Sequence, residues 1–294
     1  LGNYNTTINA TKAFYNGSTT TKKVNAYELA TDPTLSSPST ASDQGGTTGG
    51  WGETWDFTAN IQDVDSDNVT VQLWADLGSN FQLLNTTTCT SCSSSTPITF
   101  LQTFNRTQIG NRAYKFNATD SRNYTNQSIT QNFTIEKDNT LAVFVVGNGI
   151  SINREDSATG LLAIEIQDTD RGNLVASSGV NGSGFVTTDT AGFDGGTTNQ
   201  TNSTGQLNIY FNPTCSYSAA TQRWKGGVAG DEFYKDSNIS NRSLDVLGQL
   251  KNNLLTPEQG QTFNSSNLIN LNATISTDCP VQEANLTSAA AQFR

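Results

Sequence analysis

The run Thr54-Trp55-Asp56-Phe57-Thr58-Ala59-Asn60-Ile61, the turn Asp63-Val64-Asp65-Ser66-Asp67-Asn68 and the run Val69-Thr70-Val71-Gln72-Leu73-Trp74-Ala75 together decide the fold. Side chains alternate across a strand with period two. Trp55, Phe57, Ala59 and Ile61 therefore share one face, and Val69, Val71, Leu73 and Ala75 share one face of the following strand. Aromatic and β-branched residues suit a half-buried pleated surface, while Asp, Ser and Asn close turns through hydrogen bonds to nearby backbone. The pattern reads as a β-hairpin.

The same piece recurs downstream. Ile61-Gln62-Asp63-x-Asp65-x-x-Asn68-Val69 matches Ile166-Gln167-Asp168-x-Asp170-x-x-Asn173-Leu174, an offset of 105 residues, and Phe57 and Ala59 align with Leu162 and Ile164. A repeat of roughly 100 residues made of short alternating strands has the size of one immunoglobulin-like sandwich. The expected architecture is all-β: a sandwich over 21–138, with a Ser/Thr/Gly-rich surface loop from Pro33 to Gly50, and a second over 139–247. Residues 1–20 alternate Tyr4, Ile8, Ala10 and Phe14 with polar positions and read as a strand-like arm. Residues 248–294 hold a strand candidate, Leu268 to Ile275, and read as an incomplete β-segment whose missing half is either downstream in a longer precursor or supplied by a neighbouring subunit through strand addition. The best helical stretch, Ser243 to Leu255, is short and interrupted by Gly248.

Composition removes several classes of function. Sixteen Lys and Arg face 26 Asp and Glu, a net charge of -10, which repels phosphate backbones and anionic headgroups. The chain has no His, the commonest general base near neutral pH and the commonest metal ligand. It opens at Leu1 and holds no Met, and so reads as a mature segment whose signal peptide has been removed. No apolar run approaches the about 20 residues needed to span a bilayer.

Cys89, Cys92, Cys215 and Cys279 allow two disulfides in three pairings. Cys89 with Cys92 and Cys215 with Cys279 is the preferred one. The Cys-Thr-Ser-Cys spacing also fits a redox motif or half a zinc site, but polar flanks without a helix start favour a small disulfide loop in a surface excursion.

N-glycosylation acceptors, Asn-x-Ser/Thr, number eighteen: Asn5, Asn9, Asn16, Asn68, Asn85, Asn105, Asn117, Asn123, Asn126, Asn132, Asn181, Asn199, Asn202, Asn238, Asn241, Asn264, Asn272 and Asn285. Chance placement in this composition would produce roughly eight such matches. Position supports the excess: in Tyr114-Lys-Phe116-Asn117 and in Asn132-Phe133-Thr-Ile135 a strand buries the apolar residues and turns the acceptor outward.

Asp63, Asp65 and Asp67 are spaced like the first three ligands of a calcium loop. The EF-hand pattern fails further on, where Asn68 replaces the sixth-position Gly and Trp74 the twelfth-position Glu. Arg154, Glu155 and Asp156 with Asp231, Glu232 and Asp236 offer carboxylates for a glycosidase pair, but without a defined cleft. Among the tryptophans, Trp51, Trp55, Trp74 and Trp224 could stack sugars; Trp55 and Trp74 read as core, and Trp224, among Gly226, Gly227 and Gly230, reads as exposed.

The series Gly52 to Val71 and Ile109-Gly-Asn-Arg-Ala-Tyr-Lys-Phe-Asn-Ala-Thr-Asp120, with Phe211-Asn-Pro-Thr-Cys-Ser-Tyr217 and Gln222-Arg-Trp-Lys-Gly-Gly-Val228, resembles the tandem Ig-like or PKD-like repeats of archaeal S-layer and other surface glycoproteins. That resemblance implies a secreted, glycosylated, polymer-forming coat or filament. The expected function is a structural subunit of an extracellular polymer (filament, sheath or S-layer) at the cell surface, whose partners are copies of itself. The alternative is a monomeric adhesin or carbohydrate-binding module, followed by a hydrolase accessory domain. No enzymatic activity, nucleic acid partner or cofactor is expected beyond N-linked glycans; at Asp63, Asp65 and Asp67 the first reading is an ordinary Asp turn, and calcium is the alternative.

Overall fold

In the computed structural model residues 5–15, 17–23, 30–155, 159–175, 179–281, 289 and 292 are described. The apolar/polar alternation becomes strand throughout, in two compact units spanning 1–137 and 138–294.

Unit 1 begins with β1 (Asn5–Ala10) and β2 (Ser18–Lys23), which pair with each other alone. The strand-like arm expected over 1–20, a candidate for exchange with a neighbour, is here largely one hairpin, and Ile8 is exposed on it; Tyr4 and residues 24–29 lie outside the described set. The sandwich follows with β3 (Thr34–Ser42), β4 (Thr48–Gly50), β5 (Thr54–Gln62) and β6 (Val69–Asp76). Next come β7 (Phe81–Cys89), β8 (Thr96–Thr103), β9 (Gly110–Asp120), β10 (Thr125–Gln127) and β11 (Gln131–Glu136). One sheet has the order β3-β5-β8, and the other β4-β11-β9-β6-β7 with β10 added on β9.

Two expectations change here. β5 and β6 lie in different sheets, so the decisive stretch is an arch between sheets and not a hairpin. Alternation alone cannot separate the two, because in both cases each strand buries one face; here the faces meet across the core. The loop expected over 33–50 supplies β3 and β4 instead. β3 is an edge strand in which only Thr40 and Ser42 are buried, so its Ser/Thr composition hides the apolar signal. Its Pro38 falls where the register with β5 shifts, between Ser36 and Ser39, a place where a missing N–H is tolerated.

The unit 1 core is an aromatic cluster. Phe57 packs edge-on against Tyr114 at 4.9 Å and Phe133 at 5.3 Å, and Trp55 meets Phe133 at 5.2 Å, the T-shaped geometry that the ring quadrupoles favour. Val69, Val71, Leu73 and Ala75 close it from β6. Trp74 points the other way: it is half-buried on the outer face, where its Nε1 donates to Gln72.

Unit 2 repeats this plan with one further two-residue strand, inserted between the equivalents of β5 and β6. Its elements are β12 (Thr140–Val146), β13 (Ile150–Asn153), β14 (Gly160–Asp168), β15 (Asn173–Leu174), β16 (Asn181–Val186) and β17 (Thr197–Gln200). They continue as β18 (Gln206–Phe211), β19 (Thr221–Val228), β20 (Ser237–Asn238) and β21 (Arg242–Leu247). In one sheet β14 pairs with β12, with β18 and with the short β15; the other has the order β13-β21-β19-β16-β17 with β20 added on β19. In both units a short strand, β4 or β13, runs parallel to the last one, β11 or β21. The chain is therefore all-β with tandem immunoglobulin-like sandwiches.

Trp224 is fully buried in the unit 2 core, and its Nε1 donates to the Gly147 carbonyl at 2.7 Å. The neighbouring glycines signalled close approach and not exposure: a Cβ on Gly226 would stand 2.7 Å from the Ser183 carbonyl oxygen. Ser243 to Leu255, too short and interrupted for a helix, is β21 followed by β22 (Leu250–Thr256), which among the described residues pairs only with β23 (Asn272–Thr277). The strand expected from Leu268 thus starts four residues later.

Candidate functional site

The turn from β5 to β6 gathers three carboxylates. One oxygen from each of Asp63, Asp65 and Asp67 lies within 4.8 Å of those of the other two. Asp63 is fully buried. Its Oδ1 accepts the Asp65 amide at 2.9 Å, and its Oδ2 has no hydrogen-bond partner among the described residues. Asp65 Oδ2 accepts the Thr31 amide at 2.7 Å and the Thr31 hydroxyl at 2.9 Å, bonds that hold its carboxyl below the usual carboxylate range. Asp67 Oδ2 faces Arg122 Nε at 3.1 Å.

The Cys89–Cys92 disulfide braces this turn. Expected as a polar surface excursion, the ring in fact buries Cys92, whose carbonyl accepts the Asp63 amide at 2.7 Å. Asn68 Oδ1 accepts the Ser91 amide at 3.2 Å from the same loop. This placement was not readable from spacing, because it depends on where β7 ends relative to β5.

The copy of the turn in unit 2 carries its own cation. Asp168 Oδ1 accepts the amides of Asp170 and Arg171 at 3.1 and 2.9 Å. The Arg171 guanidinium returns to Asp168 Oδ2 and reaches Asp138 Oδ2 at 2.6 Å. Burial, with the carboxyls of Asp170 and Asp168 beside it, pushes the Asp138 carboxyl up to about 8 against the pull of Arg171. At the offset of 105, Arg171 occupies the position of Ser66.

The β22–β23 ribbon is the second candidate. Leu250, Leu254, Leu255, Ile269 and Leu271 are exposed, and Leu268 is fully so. The ribbon is clasped at one end. Arg154 donates to Asp278 through Nε at 2.7 Å and Nη2 at 2.9 Å, and through Nη1 to the Tyr217 carbonyl at 2.9 Å. Beside this clasp Cys215 is joined to Cys279, and Lys251 reaches Glu155 at 2.7 Å.

Of the glycosylation acceptors, Asn16 and Asn285 lie outside the described residues, as does the side chain of Asn5. Asn9, Asn68, Asn85, Asn105, Asn123, Asn132, Asn181, Asn199, Asn202, Asn238, Asn241, Asn264 and Asn272 are exposed; Asn117 and Asn126 are half-buried. The shallow grooves lined by these amides include one of about 520 Å³ beside Asn181 and Asn199 and one of about 450 Å³ beside Asn117 and Asn126. Their lining residues include no carboxylate and no ring. The glycosidase candidates do not converge on a cleft either. Asp231 is buried and accepts the amides of Asn181, Phe233 and Tyr234, Asp236 accepts that of Gly230, and Asp156 lies outside the described residues.

No protein-family model and no curated protein matches this chain. Among solved structures it is similar to the PKD domain of an M14-like peptidase from Thermoplasmatales archaeon SCGC AB-540-F20, at 23% identity and TM-score 0.25 over 36% of this chain and 94% of that one. It is also similar to a tetra-tandem repeat in the extending region of a large adhesion protein, at 14% identity and TM-score 0.38 over 92% of this chain and 69% of that one. Red sea bream transglutaminase is similar at 10% identity and TM-score 0.32 over 71% and 31% of the two chains.

Proposed function

We propose that this chain is a structural subunit of an extracellular, N-glycosylated polymer at the cell surface, with copies of itself as partners and no catalytic role. The observation that carries the reading is the β22–β23 ribbon. A lone two-stranded ribbon is marginal in water, and this one keeps Leu250, Leu254 and Leu255 of β22 exposed, with Leu268, Ile269 and Leu271 in the segment that leads into β23, while a disulfide and a buried ion pair hold its base. Fully burying one such side chain contributes about 1.5–3 kcal/mol, so a neighbour that covers the ribbon gains several times that. Two disulfides fit an oxidising, extracellular setting, and exposed acceptor asparagines fit a sugar-coated surface.

Electron microscopy and light scattering of the glycosylated chain test the proposal, with Leu254→Asp and Leu268→Asp as variants. Both positions are exposed, so the sandwiches keep their circular dichroism and melting temperature while regular polymers disappear. Polymers that persist in the double variant, or a wild-type chain that stays monomeric at every concentration, would sink it.

A further inference from the structure

We propose that the Asp63–Asp67 turn binds one divalent cation, Ca²⁺ by its ligand chemistry, and that the equivalent turn of unit 2 does not because the Arg171 guanidinium already lies against its buried carboxylates. A buried carboxylate needs a partner: uncompensated, it costs far more than a neutral polar group. Asp63 is fully buried with Oδ2 unpartnered among the described residues, and two further carboxylates converge within 4.8 Å. Arg122, on Asp67, offsets one of the three charges. Two negative charges remain, matching a divalent ion.

The donor set selects the metal. The chain has no His, and all four cysteines are in disulfides, so ions that prefer nitrogen or sulfur find no ligands here. Carboxylates on a tight turn, completed by backbone carbonyls and water, suit Ca²⁺, which accepts irregular six- to eight-fold oxygen coordination; Mg²⁺ demands a near-ideal octahedron. The internal comparison is independent of that reasoning. Where unit 1 has Ser66, unit 2 has Arg171, and its guanidinium lies against Asp168 and Asp138. By charge alone the two places are alike, three carboxylates and one arginine each; what differs is position, because Arg171 lies between the two buried carboxylates of unit 2, whereas Arg122 reaches only Asp67 and leaves the buried Asp63 to a ligand from outside.

Calorimetric titration of the full glycosylated chain with CaCl₂, alongside sensitised terbium luminescence, tests the assignment. One ion per chain is expected, with a Kd on the order of 10⁻⁴ M as in extracellular modules, weaker binding of Mg²⁺, and a melting temperature that rises with Ca²⁺. Asp63→Asn should abolish binding. Asp65→Asn, at a half-exposed position that threatens folding less, should weaken it at least about tenfold. Asp168→Asn should change neither affinity nor stoichiometry. Absence of heat and luminescence up to about 10 mM, or wild-type affinity in Asp65→Asn, overturns the site. A second ion that vanishes in Asp168→Asn overturns the role given to Arg171.

Discussion

Replacing Asp278 with Asn tests how the ribbon is held. The Arg154 and Asp278 side chains are 1% and 5% exposed, and their contact is bidentate. Asn keeps the shape but removes the charge, leaving the guanidinium buried beside the Tyr217 carbonyl. Breaking a buried pair from one side costs about 3–5 kcal/mol. That cost should appear locally, because among the described residues β22 and β23 pair only with each other and, Thr277 apart, neither strand has a buried residue. At 1.36 kcal/mol per tenfold, ribbon opening becomes about 10²–10⁴ times more frequent.

The assay is amide hydrogen exchange of 250–277 against the β14 and β19 amides as internal controls. The pH dependence gives a second readout. Arg154, first, and the Gln249 amide hold the Asp278 carboxyl below its ordinary value of 3.8, against the opposing effect of burial. Between the lowered folded value and the ordinary one, the unfolded ribbon binds more protons, so protection is complete above about pH 4 and is lost as pH falls through the folded value. Asp278→Asn should flatten that profile. Unchanged exchange at pH 7, or an acid profile identical to wild type, would refute the clasp.

Two further outcomes follow from the site geometry. Asp138, pushed up to about 8 chiefly by burial, keeps a proton in the folded chain that the unfolded chain releases near pH 4. Unit 2 should therefore lose stability as pH rises from about 4 to 8, and Asp138→Asn should show a shallower slope in urea titrations across that range. Glycopeptide mass spectrometry should find Asn117 and Asn126 the least occupied acceptors: both are half-buried in one groove, and Asn126 Nδ2 already donates to the Pro33 carbonyl at 2.8 Å.

What could be read from the residues was the part that depends on period two. Phe57, Phe116 and Phe133 sit inward as the alternation requires, and the offset of 105 residues marks β5 and β14 as equivalent. Sheet membership was not readable, because an arch and a hairpin bury strand faces with the same alternation. β3 escaped because an edge strand of Ser and Thr carries little apolar signal, and Trp224 was misplaced because glycines that permit close packing have the same composition as a surface loop. At the Asp turn the spacing was legible. The burial of Asp63 and its amide bond to Cys92 were not, since both depend on residues brought in from β7 and beyond.

The outermost strands argue for a division of labour along the chain. An unpaired sheet edge invites pairing with any other chain unless something blocks it. In unit 1 the edge next to β6 is β7, which carries the exposed acceptor Asn85; in unit 2 the equivalent edge is β17, which carries the exposed acceptor Asn199. Sugars on these two asparagines would shield the same edge of both sandwiches, a task for which the chain has little charge to spare, with Asp, Glu, Lys and Arg at 14% of residues against roughly 25% in an average domain. β22 has no acceptor of its own. Its free edge and its exposed Leu250, Leu254 and Leu255 would thus be left to the one kind of pairing that the proposed polymer needs, while sugars on Asn85 and Asn199 would close the equivalent edges of the sandwiches to it.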